Sequence, residues 1–319
     1  MKKFLLSFAL ATTTLVTFAQ QDPQFTMWQF DRQSFNPAVV GTDKMHCLTV
    51  FHRDQWDQLD RDPKTYLVNY QGAFGAKKDW GGGLTFFTEV LGQQTNTVFR
   101  LALAKHIALS NGHNFSAGLS LGSVGTKLGG VWNPIDEDDN VVNSLRNKTT
   151  ADAAFGMSLG FTLYKPKQYY VGLSSTNLTS PELKDVYIKV ARHYYLMGGY
   201  EMPIGNDLAL RPNVLVKSDL AATQLDINAD VLWNGMLWGG LSYRLKDAIA
   251  PYAGFQMMFA PIEGATSITN HGLKLGYSYD VTTSALKDYS AGSHEIFLTY
   301  CMSFSEIPMR ARHSNPRFL

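Results

Sequence analysis

Residues 223–233, TQLDINADVLW, alternate with a period of two. Leu225, Ile227, Ala229, Val231 and Trp233 stand between Gln224, Asp226, Asn228, Asp230 and Leu232. Successive side chains of a strand point to opposite faces, so this segment has one oily face and one face of amides and carboxylates. The alternation returns at Phe115, Ala117, Leu119 and Leu121, separated by Ser116, Gly118 and Ser120, and again at Ile296, Leu298, Tyr300, Met302 and Phe304. From residue 46 onward the pattern predicts fourteen strands. They lie near 46–54, 65–74, 80–88, 95–108, 113–123, 151–163, 168–175, 191–202, 206–217, 223–233, 236–245, 249–260, 270–280 and 292–304. Strands of about 9–11 residues suit a tilted passage through a bilayer, and an even count suits a bacterial barrel.

The connections carry a second alternation. Short ones fall at Ser110–Gly112, Tyr164–Lys167, Pro203–Gly205 and Asn234-Gly235. Longer ones fall between them, at 55–64, 124–150, 176–190 and 281–291. In an outer-membrane barrel the short set is periplasmic and the long set extracellular. Pro261–Thr269 is long on the short side and 246–248 is brief on the long side, so the scheme is strained there. The expected fold is therefore all-β: a transmembrane outer-membrane barrel of 14 antiparallel strands. A soluble secreted β-protein is the competing reading.

The N-terminus fits the membrane destination. Lys2 and Lys3 precede a short apolar core, Phe4–Phe18, and Thr17-Phe18-Ala19 has the form of a signal-peptidase site. No later run reaches the roughly 18 apolar residues that a helical span needs. The expected division is a signal peptide over 1–19, a periplasmic lead-in over 20–44, the barrel over 45–305 and a periplasmic tail over 306–319.

Charge and candidate chemistry narrow the function. A formal net charge of +1 argues against nucleic acid, which calls for a basic surface. Eight histidines form no His-Glu-x-x-His motif, the two cysteines form no Cys-x-x-Cys pair, and no metal or cofactor is expected. Asp136, Glu137, Asp138 and Asp139 are oxygen donors in the longest loop, but their spacing matches no calcium loop, and a solvated acidic run is preferred. Gly122–Gly130, GSVGTKLGG, lacks the Gly-Lys-Ser/Thr ending of a phosphate loop and reads as the start of a flexible loop. Cys47 and Cys301 fall in the first and last strands, neighbours in a closed barrel. A bond between them is open, yet two cysteines make no disulfide framework, and free thiols are the expectation. Arg100, Lys105, Arg192, Lys217, Asp226, Asp230, Arg244 and Lys274 are candidates for the interior, as salt-bridged plugs or a pore lining. Trp56, Trp80, Trp132, Trp233 and Trp238 stand near strand ends or in loops, as headgroup-level aromatics do. Nothing nominates a serine–histidine–carboxylate triad, so catalysis is the weaker class.

Several motifs carry a family resemblance. Gln21-Asp22-Pro23-Gln24-Phe25 and Ser34-Phe35-Asn36-Pro37-Ala38, ending at Gly41, are followed by Arg53, Gln55-Trp56 and Pro63-Lys64-Thr65. Later come Gly276-Tyr277-Ser278-Tyr279-Asp280, Gly292-Ser293-His294-Glu295-Ile296 and the closing Asn315-Pro316-Arg317-Phe318-Leu319. In this order they resemble the PorP/SprF membrane proteins of the Bacteroidota type IX secretion and gliding-motility system. Val39-Val40 departs from an aromatic–alanine pair common there, and Met27-Trp28 also departs.

The resemblance implies a non-enzymatic fourteen-stranded barrel in the outer membrane of a Gram-negative, Bacteroidota-like bacterium. It would help secrete or anchor cargo bearing type IX C-terminal signal domains, adhesins among them, and contact periplasmic or peptidoglycan-associated components as well as outer-membrane lipid. The alternative is a passive channel or transporter for small hydrophilic solutes. Under this reading Phe25, Trp28, Phe30, Phe35, Asn36 and Pro37 would dock a partner or brace the periplasmic rim. Arg53, Gln55 and Trp56 would orient the Pro63-Lys64-Thr65 loop, by rim closure or by cargo contact. The basic tail, with Arg310, Arg312, His313 and Arg317, would meet an acidic or polar face in the periplasm.

Overall fold

The computed structural model describes residues 24–129, 148–259 and 268–304. The fourteen strands are β1 His46–Asp54, β2 Lys64–Phe74, β3 Trp80–Leu91, β4 Gln94–Ala108 and β5 Asn114–Leu128. They continue with β6 Thr150–Lys165, β7 Tyr169–Thr176, β8 His193–Tyr200 (resuming at Met202–Ile204), β9 Leu208–Ser218 and β10 Thr223–Trp233. The last four are β11 Leu237–Arg244, β12 Ala248–Phe259, β13 Ile268–Thr282 and β14 Ser293–Phe304. Each pairs antiparallel with the next, β8 with β9 among them, and β1 pairs with β14, so the sheet closes on itself. Closure removes the unpaired edges that hydrocarbon cannot satisfy. Among the described residues, no helix is long and apolar enough to cross a membrane.

The pleat sorts the side chains as the alternation predicts. On β10, Asp226, Asn228 and Asp230 are buried in the lumen while Ile227, Val231 and Trp233 are exposed outside. Leu101, Leu103, Leu173 and Leu241 are each more than half exposed. A soluble core would cover them; a lipid belt is what they fit.

The longest described connections share one end, although the short turns 92–93, 219–222 and 245–247 stand there too. Turns 75–79, 109–113, 166–168, 205–207 and 234–236 share one end with His46 and Phe304. Segments 55–63, 177–192 and 283–292 share the other. The long end therefore faces the cell exterior. β5 runs on through Leu128, pairing with β4 as far as Gln94, so residues 122–128 are strand and not the flexible loop expected. Val124, Thr126 and Leu128 continue the buried phase there. The acidic run 136–139, Trp132, the signal segment 1–19 and the tail with Arg310, Arg312 and Arg317 lie outside the described residues.

Two further expectations need correction. Cys47 and Cys301 are directly paired across β1 and β14 and are joined by a disulfide, with Cα atoms 4.1 Å apart. The register alone brings them within bridging range. The stretch expected as a periplasmic lead-in lies, from Gln24 onward, inside the barrel.

Candidate functional site

The polar lumen is filled by residues 24–44, and the filling runs from the exterior end to the periplasmic end. Gln24 Nε2 donates to Gln224 Oε1 at 3.0 Å, beside the exterior start of β10. Two residues on, the main chain enters a clamp of buried charges. The Thr26 and Met27 amides donate to the two carboxylate oxygens of Glu295, each at 2.8 Å. The Thr26 hydroxyl donates to Asp280 at 2.7 Å. Arg53 spans both carboxylates, reaching Asp280 at 2.7 Å and Glu295 at 3.0 Å, and also donates to the Thr26 hydroxyl at 3.0 Å. Arg244 closes the other side against Asp247, Asp280 and Asp226 at 3.0, 3.5 and 3.6 Å.

Strand register builds this cluster. Arg53 faces Glu295 across the β1–β14 seam, and Asp280 on β13 faces Ser293 on β14. The side chains of Arg53, Asp280 and Glu295 are no more than 2% exposed. Charges so buried are tolerable only when paired and hydrogen-bonded. The plug's own amides and hydroxyl complete that pairing, so the clamp and the plug need each other.

Below the clamp the contacts turn aromatic. Phe25 packs on Phe51 at 5.3 Å, and Phe30 lies against Trp238 at 4.7 Å and Phe297 at 4.8 Å. Phe35 meets Tyr195 edge-on at 5.4 Å, and the Arg32 guanidinium lies over Tyr170 at 4.4 Å. Trp28 is wholly buried. Each such aromatic pair is worth about 0.5–1.5 kcal/mol beyond area burial.

At the periplasmic end backbone meets backbone. The Asn36 carbonyl oxygen Oδ1 caps the turn by accepting the Ala38 amide at 2.9 Å, while its Nδ2 donates to Phe161 O and Thr162 Oγ1, each at 3.1 Å. Proline at the first position of that turn has no amide to leave unpaired. Gly118 and Gly81 let the turn seat. A Cβ on Gly118 would lie 2.5 Å from the Pro37 carbonyl, and one on Gly81 would lie 1.8 Å from the Val40 oxygen. Gly81→Val should therefore expel the 36–41 turn while leaving the barrel closed. Single-channel recordings should then show ion flow absent from the parent, and unchanged silence would count against this seating.

A polar cavity of about 70 Å³ remains beside the plug, with Arg32, Asp43, Gln71 and Lys274 in its wall.

The other expected residues fall as follows. Phe25, Phe35, Asn36 and Pro37 are buried in the plug, so they are not displayed at the periplasmic rim. Arg53 points into the lumen, as does its cross-strand neighbour Thr65, and Lys64 and Thr65 open β2 instead of forming the loop expected. Gln55 and Trp56 lie in the exterior rim: Gln55 N donates to Pro63 O at 2.9 Å and Trp56 N to Ser293 Oγ at 3.0 Å. Asp57 and Ala291–Gly292 exchange two further backbone bonds, joining the 55–63 and 283–292 loops. Lys64 reaches Asp54 and Asp62 at 3.5 and 3.6 Å on the exposed rim. Arg100, Lys217, Asp226, Asp230 and Arg244 are buried in the lumen. Lys105 and Arg192 depart from expectation. Lys105 lies outside, paired with Asp79 at 2.6 Å and over the Trp80 ring, and Arg192 is an exposed loop residue donating to Leu178 O. Trp80 and Trp233 face outward, but Trp238 is lumenal, because its strand phase sends it to Phe30.

Asp280 and Glu295 stand within the late-strand motifs but not among the residues expected to act. Their signal was legible: each is an acid in the inward phase of a strand that reads oily on its other side. Phe51, Phe297 and Tyr195 had a signal too, as aromatics in the phase that should have been polar, which implies a partner inside.

A closed, lipid-belted antiparallel barrel with a polar, plugged lumen is an outer-membrane protein. This one belongs to the PorP/SprF family of type IX secretion system membrane proteins, whose pattern it matches over residues 17–300. No curated protein sequence matches it. Among solved structures it is similar to the CymD monoaromatic hydrocarbon channel, with 10% identity, 85% of this chain and 92% of that one covered, and a TM-score of 0.51. A Pseudomonas aeruginosa FadL homologue aligns with 11% identity over 89% of this chain and 95% of that one, at a TM-score of 0.49. At 10% identity the likeness to CymD is one of fold.

Proposed function

We propose that this chain is a non-enzymatic accessory barrel of type IX secretion, sealed along its axis and working through its rims. It helps secrete or anchor surface proteins bearing type IX C-terminal signal domains, and it contacts periplasmic or peptidoglycan-associated components. The observation that supports this reading is the filled lumen. A passive solute channel needs a continuous water path, whereas here residues 24–44 occupy the axis from Gln224 down to Gly81. That leaves the loops and turns as the surfaces for partners. The exterior rim, with Gln55, Trp56, Pro63 and Lys64, is held in shape by its bonds to the 283–292 loop. The periplasmic end is where β14 finishes, and the sequence beyond it carries Arg310, Arg312 and Arg317.

The test is a pull-down from native outer membranes with the full chain and with a form lacking Arg310–Leu319. The full chain is expected to bring down type IX components. The shortened one should keep the heat-modifiable migration of a folded barrel and lose periplasmic partners. Equal recovery by both would remove the tail from the proposal. Steady conductance by the full chain in planar bilayers, with no secretion component recovered, would favour the solute channel.

A further inference from the structure

Four histidines of the outer wall share one arrangement. His46 Nδ1 meets Tyr70 Oη at 2.8 Å, His113 Nδ1 meets Tyr169 Oη at 2.7 Å, His271 Nδ1 meets Tyr300 Oη at 3.2 Å and His294 Nδ1 meets Tyr277 Oη at 2.6 Å. A neutral imidazole carries one N–H and a phenol one O–H. Their shared bond uses one of the two, whichever tautomer is present, so every pair keeps one unused donor. In hydrocarbon that donor would go unsatisfied at a cost of several kcal/mol. The pairs therefore belong at headgroup level.

Three of the four histidines fall on two lines of the sheet. His271, Met302 and His46 form one line across β13, β14 and β1, and Tyr279, His294 and Asp54 form another, eight residues further along each strand. At about 3.4 Å per residue and a tilt of about 40°, the lines are roughly 21 Å apart. That is close to the height of an outer-membrane apolar belt, about 25 Å.

The two lines differ in charge. On the exterior line Lys64 is held by Asp54 and Asp62, and His52 also lies beside Asp54. On the periplasmic line His46 and His271 flank Met302, two strand spacings or about 10 Å apart. Lys78 reaches the same corner, donating to the Phe304 carbonyl at 3.2 Å. The neighbouring Asp79 is taken by Lys105. Among the described residues, no carboxylate forms an ion pair with Lys78, His46 or His271.

We propose that Lys78, His46–Tyr70 and His271–Tyr300, around the end of β14, form a binding site for the phosphate of an anionic phospholipid in the periplasmic leaflet. Two spare donors and an ammonium suit phosphate oxygens. A zwitterionic headgroup would set its own ammonium against Lys78, so the site discriminates by charge. Its place on the closing seam means that a bound lipid bridges β13, β14, β1 and the turn after β2.

Native mass spectrometry of the purified full chain, titrated with phosphatidylglycerol or phosphatidylethanolamine, tests this. A basic side chain near a lipid surface contributes about fivefold in affinity, so phosphatidylglycerol should be retained at least about fivefold better. The combined variant Lys78→Gln, His46→Gln, His271→Gln should bring that ratio close to one. The exterior control His52→Gln, Lys64→Gln should leave it unchanged. Should the triple variant not fold, Lys78→Gln alone, in an exposed turn, must lower the ratio at least twofold. Overturning results are an absent preference in the parent, a preference surviving in the variants, or a photo-crosslinker at position 78 that captures protein instead of lipid in native membranes.

Discussion

Arg53→Ala is expected to cost the folded barrel about 3–5 kcal/mol, the usual penalty for removing one partner of a buried ion pair. The cost comes from what remains. Asp280 and Glu295 would be left as neighbouring buried carboxylates, with Arg244 the nearest cation and 3.5 Å from Asp280. The exterior end of the plug should loosen with them, since the Thr26 and Met27 amides are held by Glu295. Two measurements read this. The temperature at which the heat-modifiable band converts to the unfolded one should fall, and planar bilayers should show ion flow that the parent lacks. Adding Glu295→Gln and Asp280→Asn to Arg53→Met should recover much of the loss, because the uncompensated charge is then gone. A variant as stable and as silent as the parent would show that the clamp contributes neither stability nor closure.

Breaking the Cys47–Cys301 bond should have an effect of similar size. The bridge spans 254 residues of sequence, and chain-entropy reasoning assigns a loop of that length about 5 kcal/mol, the upper end of measured values. Cys47→Ser with Cys301→Ser should therefore unfold at lower temperature, and the parent should behave likewise under reductant. The damage has a defined place. Without the bridge, β1 and β14 keep their ladder, the Arg53–Glu295 ion pair and the Thr49–Thr299 hydrogen bond but lose their covalent tie, and the seam becomes the first part to open. Hydrogen exchange should thus rise in β1 and β14 before it rises in β5 or β6. Identical melting in oxidised and reduced protein would sink this expectation.

The barrel was legible in the sequence because its determinants are local. A period of two and turn residues such as Asn234-Gly235 specify strands without reference to distant partners, and a bilayer reads the oily phase directly. Hence Leu225–Trp233 and Ile296–Phe304 could be placed in outward phase from their own residues. Lys105 misled for the same reason. A charge interrupting a strand suggests the lumen, and only the fold showed that it stands beside Asp79 and Trp80 near the end of its strand.

What lay beyond reach was everything that depends on pairings remote in sequence. The direction in which residues 24–44 pass through the lumen follows from Thr26 meeting groups 254 and 269 positions away. No periodicity encodes that. The disulfide needed the register of the first strand against the last, and the clamp needed three strands to present Arg53, Asp280 and Glu295 at one height. The alternation of oily and polar positions by itself determined a membrane barrel of this strand number. Tertiary structure alone decided that the barrel is stoppered by its own beginning, because a plug is chosen by the shape and charge of a lumen that exists only once the sheet has closed.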